Sequence, residues 1–162
     1  MPSLGSSEVD TWWIDEPTVL GSSNPTTDAL HDLWDAGFRT VISLLNECEQ
    51  RPRYDKEVAR GIGFILHSVP ITDFTAPSMD DFGTFLGLVE DALSRGKVVV
   101  HCWGGCGRTG TMAAAYWIAR GTSAAAAIAK VQSVNPGAVE KNTGQEQSLH
   151  DLANSRGGGA QP

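Results

Sequence analysis

A ten-residue segment, 101–110, combines a cysteine, an arginine and several glycines at a spacing that suits nucleophilic chemistry on a phosphate group. It reads HCWGGCGRTG, with Arg108 six residues after Cys102. A glycine-rich turn lets successive backbone N–H groups point inward and bind an oxyanion. The same field stabilises a cysteine thiolate, which is a nucleophile at neutral pH. The planar guanidinium of Arg108 can then hold two phosphate oxygens.

We call residues 102–108 the phosphate loop. A short apolar strand, KVVVH, precedes it, and a predicted helix from about Arg108 follows, whose N-terminus favours an anion. The hydroxyl of Thr109 can donate to the sulfur of Cys102 and ease its departure. The residues expected to contact phosphate are Trp103, Gly104, Gly105, Cys106, Gly107 and Arg108.

Two other interpretations of this segment are weaker. An inert core cysteine would leave the glycines, the strand–helix boundary and Arg108 unexplained. A nucleotide-binding glycine loop would need Gly-x-x-x-x-Gly-Lys-Ser/Thr or Gly-x-Gly-x-x-Gly, and neither pattern is present.

Cleavage of a phosphate monoester also needs a proton donor for the departing oxygen. Asp73 is the candidate, because it follows a strand end in a proline-bounded segment, residues 70–77, which we call the acid loop. Asp80 and Asp81 compete with it. They fall in the first turn of a predicted helix, where acidic residues are favoured for structural reasons.

These motifs resemble those of the protein tyrosine phosphatase superfamily. Cys-x5-Arg-Thr after His101 resembles its signature, and the acid loop resembles that of small dual-specificity phosphatases. The run HCWGGCGRTGTM, with NPGAVE at 135–140 and Gln145 beyond it, resembles the compact atypical members that consist of a catalytic domain alone. The similarity covers about residues 12–154.

The resemblance implies a fold, an activity and a mechanism. The enzyme would hydrolyse phosphotyrosine esters through a phosphocysteine on Cys102, with phosphoserine and phosphothreonine left open. Asp73 would act first as acid and then as base. Alternatives are a phosphoinositide or RNA 5′-triphosphate phosphatase, which would favour lysines that this loop lacks, and a non-catalytic phosphate-binding module.

Further candidates have structural alternatives of similar weight. Gln145 or Gln147 could position water, or be ordinary polar residues of a terminal helix. His101 is expected to be a buried structural histidine. Cys106 could form a protective disulfide with Cys102 under oxidation, or be a small loop residue.

The remaining cysteine and the tryptophans receive structural predictions. Cys48 is expected to be a loop cysteine and a second candidate redox partner. Trp103 either walls the pocket or packs beneath the loop. Core packing is expected for the other four tryptophans, Trp12, Trp13, Trp34 and Trp117.

Alternating strand and helix signals predict an α/β fold with a central, mostly parallel sheet flanked by helices. Strands are predicted at 12–14, 18–20, 39–45, 63–69 and 97–101. Helices are predicted at 26–36 with Thr27 as cap, 53–59, 78–93, 108–120, from 123 to before Pro136, and 143–153. We expect one domain at 11–154, between a loose leader (1–10) and a mobile tail (155–162).

Composition limits the partners. The chain has 162 residues, a net charge of −7 and three cysteines. An acidic protein is a poor non-specific ligand for nucleic acid or anionic membranes. No apolar run approaches the ~20 residues of a membrane span. We therefore expect a monomeric, cytoplasmic protein with a phosphorylated protein or small aryl phosphate as its partner, and no metal ion or other cofactor.

Overall fold

Strands and helices alternate along residues 9–157, which are the residues that the computed structural model describes. The elements are β1 (Thr11–Asp15), β2 (Val19–Ser22), α1 (Thr27–Asp35), β3 (Phe38–Ser43), α2 (Lys56–Ile62), β4 (Ile65–Ser68), α3 (Met79–Leu93), β5 (Lys97–His101), α4 (Gly107–Ala119), α5 (Ala124–Val134) and α6 (Gln145–Gly157). The predicted α/β class is confirmed.

The strands form one sheet in the order β1-β2-β5-β3-β4. β2, β5, β3 and β4 run parallel, and β1 pairs antiparallel with β2. The last residues of the parallel strands lie in register, with Ser22 and Ser43 both paired to His101. The loops that follow these strands therefore meet at one edge, where α/β proteins build their sites.

Helices cover both faces of the sheet, so its central strand is buried on both sides. Val98 and Val100 of β5 face a core shared with α3, α4, α5 and α6. Val99 faces the second core, which contains residues of α1 and α2. All three valines are fully buried, and each side chain contributes on the order of 2 kcal/mol of hydrophobic stabilisation. This double burial explains the uninterrupted apolar run.

Two of the three predicted N-terminal helix caps are correct, and one is wrong. Ser78 caps α3 in a capping box with Asp81, and Ser123 caps α5, as the sequence predicted. Thr27 was the wrong cap for α1, because the side chain of Thr26 accepts the capping bond from Ala29 N. The hydroxyl of Thr27 instead accepts from Asp55 N, at 2.9 Å.

The second helix begins three residues later than predicted, at Lys56, because Asp55 supplies its N-terminal cap. The last helix runs to Gly157, beyond the predicted end at residue 153. Residues 155–157 are thus helical, although the prediction placed them in a mobile tail.

The predicted leader also ends earlier than expected. Val9 is buried in the second core, and Asp10 N donates to Ser23 Oγ at 2.9 Å. Residues 1–8 and 158–162, which make up the rest of the predicted leader and tail, lie outside the described residues. Within residues 9–157, we find no helix with the length and apolar content to cross a bilayer.

Candidate active site

The sulfur of Cys102 lies at the floor of the phosphate loop, just after β5. Its side chain is only 2% exposed. Sγ accepts a hydrogen bond from Gly105 N at 3.2 Å and one from Thr109 Oγ1 at 3.1 Å. Two donors aimed at one sulfur complement a negative charge on it. The expected contact from the Thr109 hydroxyl to the sulfur is therefore present.

Gly105 gives the loop its sharp turn. Its φ is +80°, and a Cβ there would lie 2.6 Å from Ser23 N, so glycine is required on both conformational and steric grounds. The carbonyl of Gly105 accepts from Trp12 Nε1 at 2.8 Å, and Trp103 O accepts from Asn24 N at 2.9 Å. The first two strands of the chain and the residues after them therefore brace the loop from outside.

The N-terminus of α4 opens toward the phosphate loop. Its cap residue, Cys106, makes no side-chain capping bond, and the helix continues for 13 residues from Gly107. The first backbone N–H groups of a helix have no partner within the helix, and they carry the positive end of its dipole. They are available to an anion bound in the loop.

Arg108 is almost fully buried, and its guanidinium contacts the acid loop. Nη1 donates to Ile71 O at 2.9 Å, and Nη2 donates to Gln50 Oε1 at 2.8 Å. Nη2 also lies 3.2 Å from Asp73 Oδ1. Nε is buried and has no hydrogen-bond partner among the described residues. A buried N–H without a partner is costly, and a phosphate oxygen would satisfy it.

Asp73, the predicted acid, is half-buried beside Arg108. Its Oδ2 accepts from Gln50 Nε2 at 3.1 Å, and its Oδ1 accepts from Phe74 N at 3.0 Å. Its own N–H donates to Glu49 Oε1 at 2.7 Å. The structure thus brings the predicted acid to the predicted clamp, from 35 residues away in the chain.

The competing acids, Asp80 and Asp81, lie in the first turn of α3. Asp81 Oδ2 accepts from Ser78 N at 2.9 Å as part of the capping box. The contacts therefore support the prediction that these two acidic residues stabilise the start of a helix.

Gln50 is a site residue that the sequence analysis missed. Its amide bridges the two charged groups of the site, since Oε1 accepts from Arg108 and Nε2 donates to Asp73. The neighbouring Asn46 Nδ2 donates to Thr72 Oγ1 at 3.1 Å. The loop after β3 therefore holds the acid loop through side chains, and no sequence motif marked it.

His101 is buried behind the loop, as predicted, and Tyr54 is its partner. Nδ1 lies 3.0 Å from Cys102 O, so this nitrogen carries the proton. Nε2 must then accept from the Tyr54 hydroxyl, at 2.9 Å. Burial lowers the pKa of His101 to about 4, which keeps the ring neutral at physiological pH. Burial also raises the pKa of Tyr54, so this hydroxyl keeps its proton.

Gln145 is fully buried, and both ends of its side-chain amide form hydrogen bonds with other residues of the protein. Oε1 accepts from Glu140 N at 2.7 Å and from Thr111 Oγ1 at 3.0 Å. Nε2 donates to Thr75 O at 3.2 Å. Gln145 thus ties the acid loop to α4 and to the turn before α6. Gln147 is exposed and pairs with Asp151. Water positioning by either residue stays a prediction.

A second carboxylate, Glu140, lies against the phosphate loop and was not singled out from the sequence. It occupies the space where any side chain at position 107 would begin. Burial raises the pKa of Glu140; the charge of Asp73 raises it further, and that of Arg108 opposes the rise. The only advance signal was its place in the run NPGAVE.

The three cysteines are all free thiols. Cys106 is half-buried, with Sγ 3.6 Å from Gly104 O and 3.5 Å from Asn135 Nδ2. Cys48 is exposed, as a loop cysteine should be. Disulfide formation between Cys102 and either of them stays a prediction.

The tryptophans follow the predictions in part. Trp12 is buried, as expected, and also braces the loop through Gly105. Trp103 is 48% exposed, so it does not pack beneath the loop. The other three are half-buried against core residues: Trp13, Trp34 and Trp117.

The described part of the chain contains no cluster of metal-binding side chains.

Comparison with protein families gives a match over residues 17–122. The matching family is described as "Polymorphic toxin system, DSP-PTPase phosphatase". The matched span contains the phosphate loop, the acid loop and Gln50.

Curated relatives are phosphatases much longer than this chain. The tyrosine-protein phosphatase CDC14 homolog of Schizosaccharomyces pombe is 33% identical over 89 residues, which are 54% of this chain and 17% of the relative. The dual specificity protein phosphatase CDC14C of Symphalangus syndactylus is 36% identical over 101 residues, 62% of this chain and 20% of the relative. The chain spans about a fifth of the length of these relatives.

Solved structures match over most of the chain. Tk-PTP in its active form is 32% identical, with a TM-score of 0.79, and covers 88% of this chain and 95% of its own. Human DUSP28 is 21% identical, with a TM-score of 0.74 and coverage of 91% and 95%. PTPMT1 in complex with PI(5)P is 22% identical, with a TM-score of 0.77 and coverage of 88% and 94%. The last two share the fold.

Proposed function

Given that the chain belongs to the DSP-PTPase phosphatase family of polymorphic toxin systems, we propose that it hydrolyses phosphotyrosine esters through a phosphocysteine on Cys102. The chain is a hydrolase of the compact dual-specificity type, within the protein tyrosine phosphatase superfamily. The observation that carries the proposal is the buried sulfur of Cys102, which accepts hydrogen bonds from Gly105 N and Thr109 Oγ1.

In the first step, the thiolate of Cys102 attacks phosphorus while the ester oxygen departs on the opposite side. The loop N–H groups and the free Nε of Arg108 bind the other phosphate oxygens. Asp73, in its protonated form, gives its proton to the leaving oxygen. The ion pair of Asp73 with Arg108 describes the site before substrate enters.

In the second step, water attacks the phosphorus of the phosphocysteine and the S–P bond breaks. The electron pair returns to sulfur, and the Thr109 hydroxyl, at 3.1 Å, stabilises the thiolate that leaves. The attacking water must lose a proton to a base as it attacks.

Two exposed aromatic side chains favour an aryl ester as substrate. Phe74 is 64% exposed and follows Asp73; Trp103 is 48% exposed and follows Cys102. All other aromatic side chains of the described residues are buried or half-buried. Stacking on such rings is worth about 0.5–1.5 kcal/mol. We propose that the ring of phosphotyrosine stacks on these side chains, a contact that phosphoserine cannot make.

The test is a panel of substrates at equal concentration. It comprises peptides with phosphotyrosine, phosphoserine or phosphothreonine, phosphoinositides in mixed micelles, and RNA with a 5′-triphosphate. We expect the largest kcat/KM for phosphotyrosine. A larger kcat/KM for a phosphoinositide or for triphosphate RNA would contradict the proposal and favour that substrate class. No turnover of any substrate in the panel would favour a non-catalytic phosphate-binding module.

Two variants test the contribution of the rings. Trp103→Ala should lower kcat/KM for phosphotyrosine about 3- to 10-fold, with little change for phosphoserine. Val134→Ala, at an exposed site on α5, is the matched control and should change neither value. An equal loss on both substrates would argue against aryl recognition.

We further propose that the chain acts as a monomer in the cytoplasm and needs no metal ion. Activity should survive EDTA, and the active species should elute at monomer size in gel filtration. Loss of activity with EDTA would remove the metal-free mechanism.

A further inference from the structure

We propose that Glu140 is the general base that activates water for hydrolysis of the phosphocysteine, so that the two steps use different carboxylates. This inference rests on the proposed function. It departs from the family resemblance, which assigned both proton transfers to Asp73.

The first support is the position of Glu140. Its carboxylate lies where the Cβ of any residue other than glycine at position 107 would stand. Gly107 is the first residue of α4, between Cys106 of the loop and the clamp Arg108. The Glu140 carboxylate is therefore at the rim of the phosphate loop, beside the groups that would hold the transferred phosphate.

The second support is that the carboxylate of Asp73 has hydrogen-bond partners within the protein and that of Glu140 has none among the described residues. Asp73 already accepts from Gln50 Nε2, Phe74 N and the guanidinium of Arg108. Among residues 9–157, the Glu140 carboxylate has no hydrogen-bond or ion-pair partner. The oxygens of Asp73 are thus already occupied by protein donors, whereas those of Glu140 are open to a water molecule.

The electrostatic environment points the same way. Burial raises the pKa of Glu140, the charge of Asp73 adds to the rise, and Arg108 opposes it. A carboxylate with a raised pKa is a stronger base. A charged Asp73 is present after the first step, so Glu140 is strengthened as a base when the second step begins.

The backbone of Glu140 is fixed relative to both loops. Its N–H donates to Gln145 Oε1, and its carbonyl accepts from Thr143 Oγ1, both at 2.7 Å. Gln145 is fully buried and also holds Thr75 of the acid loop. Such a frame fixes the backbone from which the carboxylate extends, and so limits the positions that the carboxylate can take beside Gly107.

The proposed step balances. A water O–H bond breaks, its proton goes to a carboxylate oxygen of Glu140, and the water oxygen bonds to phosphorus. The S–P bond breaks, and its electron pair returns to Cys102 as thiolate. Inorganic phosphate leaves, Glu140 loses the proton to solvent, and Asp73 regains one from solvent before the next turnover.

Rapid-mixing kinetics with 4-nitrophenyl phosphate test this assignment, because release of nitrophenol reports the first step alone. Glu140→Gln should keep a burst of about one nitrophenol per enzyme, followed by a steady-state rate about 100-fold below wild type. Acid quenching of the variant with ³²P-labelled substrate should trap phosphoenzyme. Glu140→Asp should recover part of the steady-state rate.

Glu146→Gln is the matched control, since Glu146 is an exposed glutamate in the first turn of α6. It should behave as wild type. The same steady-state rate in Glu140→Gln and wild type would overturn the proposal, as would equal slowing of burst and steady state. Melting temperatures of all variants identify any loss through misfolding, and Glu140→Asp then carries the test.

Failure of this inference and failure of the proposed function give different results. If the wild type forms no labelled phosphoenzyme under any condition, the phosphocysteine itself is lost. If label appears in the wild type but does not accumulate in Glu140→Gln, only the role of Glu140 is lost.

Discussion

The phosphate loop and the acid loop meet at one site but are held in different ways. The sulfur of the phosphate loop is held by residues close to it in the chain, Gly105 and Thr109, and the external contacts of the loop are to its backbone carbonyls, from Trp12 Nε1 and Asn24 N. The acid loop depends on side chains from the loop after β3, including Gln50 and Glu49.

The two loops also differ in exposure. Cys102 and Arg108 are buried, whereas Phe74 and much of the acid loop are exposed. Exposed loops held by a few polar contacts open at low free-energy cost. We therefore expect lesions in the phosphate loop to abolish the chemistry. Substitutions in the acid loop should lower activity only in part, by an amount that depends on the leaving group of the substrate.

The strongest test of this difference is Cys102→Ser. The hydroxyl is a far weaker nucleophile than a thiolate, so turnover should fall at least about 10⁴-fold. The loop should remain, and phosphate should still bind, as calorimetry with inorganic phosphate can show. Turnover near the wild-type value would remove Cys102 as nucleophile.

Asp73→Asn should have the next largest effect, and the effect should depend on the substrate. With phenyl phosphate, a poor leaving group, kcat should fall about 100- to 1000-fold because the departing oxygen receives no proton. With 4-nitrophenyl phosphate, the loss should be much smaller. Equal losses on the two esters would contradict the assignment of Asp73 as acid.

Gln50→Leu should produce a smaller loss, about 10-fold in kcat/KM. The variant removes the amide bridge between Arg108 and Asp73 and leaves the phosphate loop intact. Asn154→Leu, at an exposed amide of α6, is the control. Unchanged kinetics in Gln50→Leu would show that the acid loop does not need this bridge.

The smallest effect is expected behind the phosphate loop, for Tyr54→Phe. The variant removes the donor to the buried Nε2 of His101, at a cost of about 1 kcal/mol in the free energy of unfolding. Urea unfolding at pH 7.5 measures it. A difference near zero would mean that the contact contributes nothing net.

The neutral His101 also predicts how stability changes with pH. Its pKa is lowered to about 4 in the folded protein, so the unfolded chain binds the proton first. Its contribution is fully present above the ordinary value of about 6.5 and is lost as pH falls from there toward 4. Urea midpoints should fall between pH 7 and pH 5, and ring NMR signals of His101 should show a neutral ring at pH 5.

Much of the fold follows from local patterns. The apolar run of β5 predicts a strand buried on both faces, and Ser78 and Ser123 predict helix starts. Where two adjacent residues could both cap a helix, as Thr26 and Thr27 could, the sequence did not distinguish them. The choice depended on Asp55, which lies in another part of the chain and whose backbone N–H donates a hydrogen bond to the Thr27 hydroxyl.

The sequence by itself determined the contacts of the Cys102 sulfur, because Gly105 and Thr109 lie within seven residues of it and glycine permits the turn between them. Tertiary structure alone brought Gln50, Tyr54 and Glu140 to the phosphate loop. Gln50 and Tyr54 lie in the connection between β3 and α2, and Glu140 lies between α5 and α6. Only the common edge of the parallel strands and the packing of α6 place them beside the phosphate loop. Spacing along the chain carries no signal for contacts of that kind.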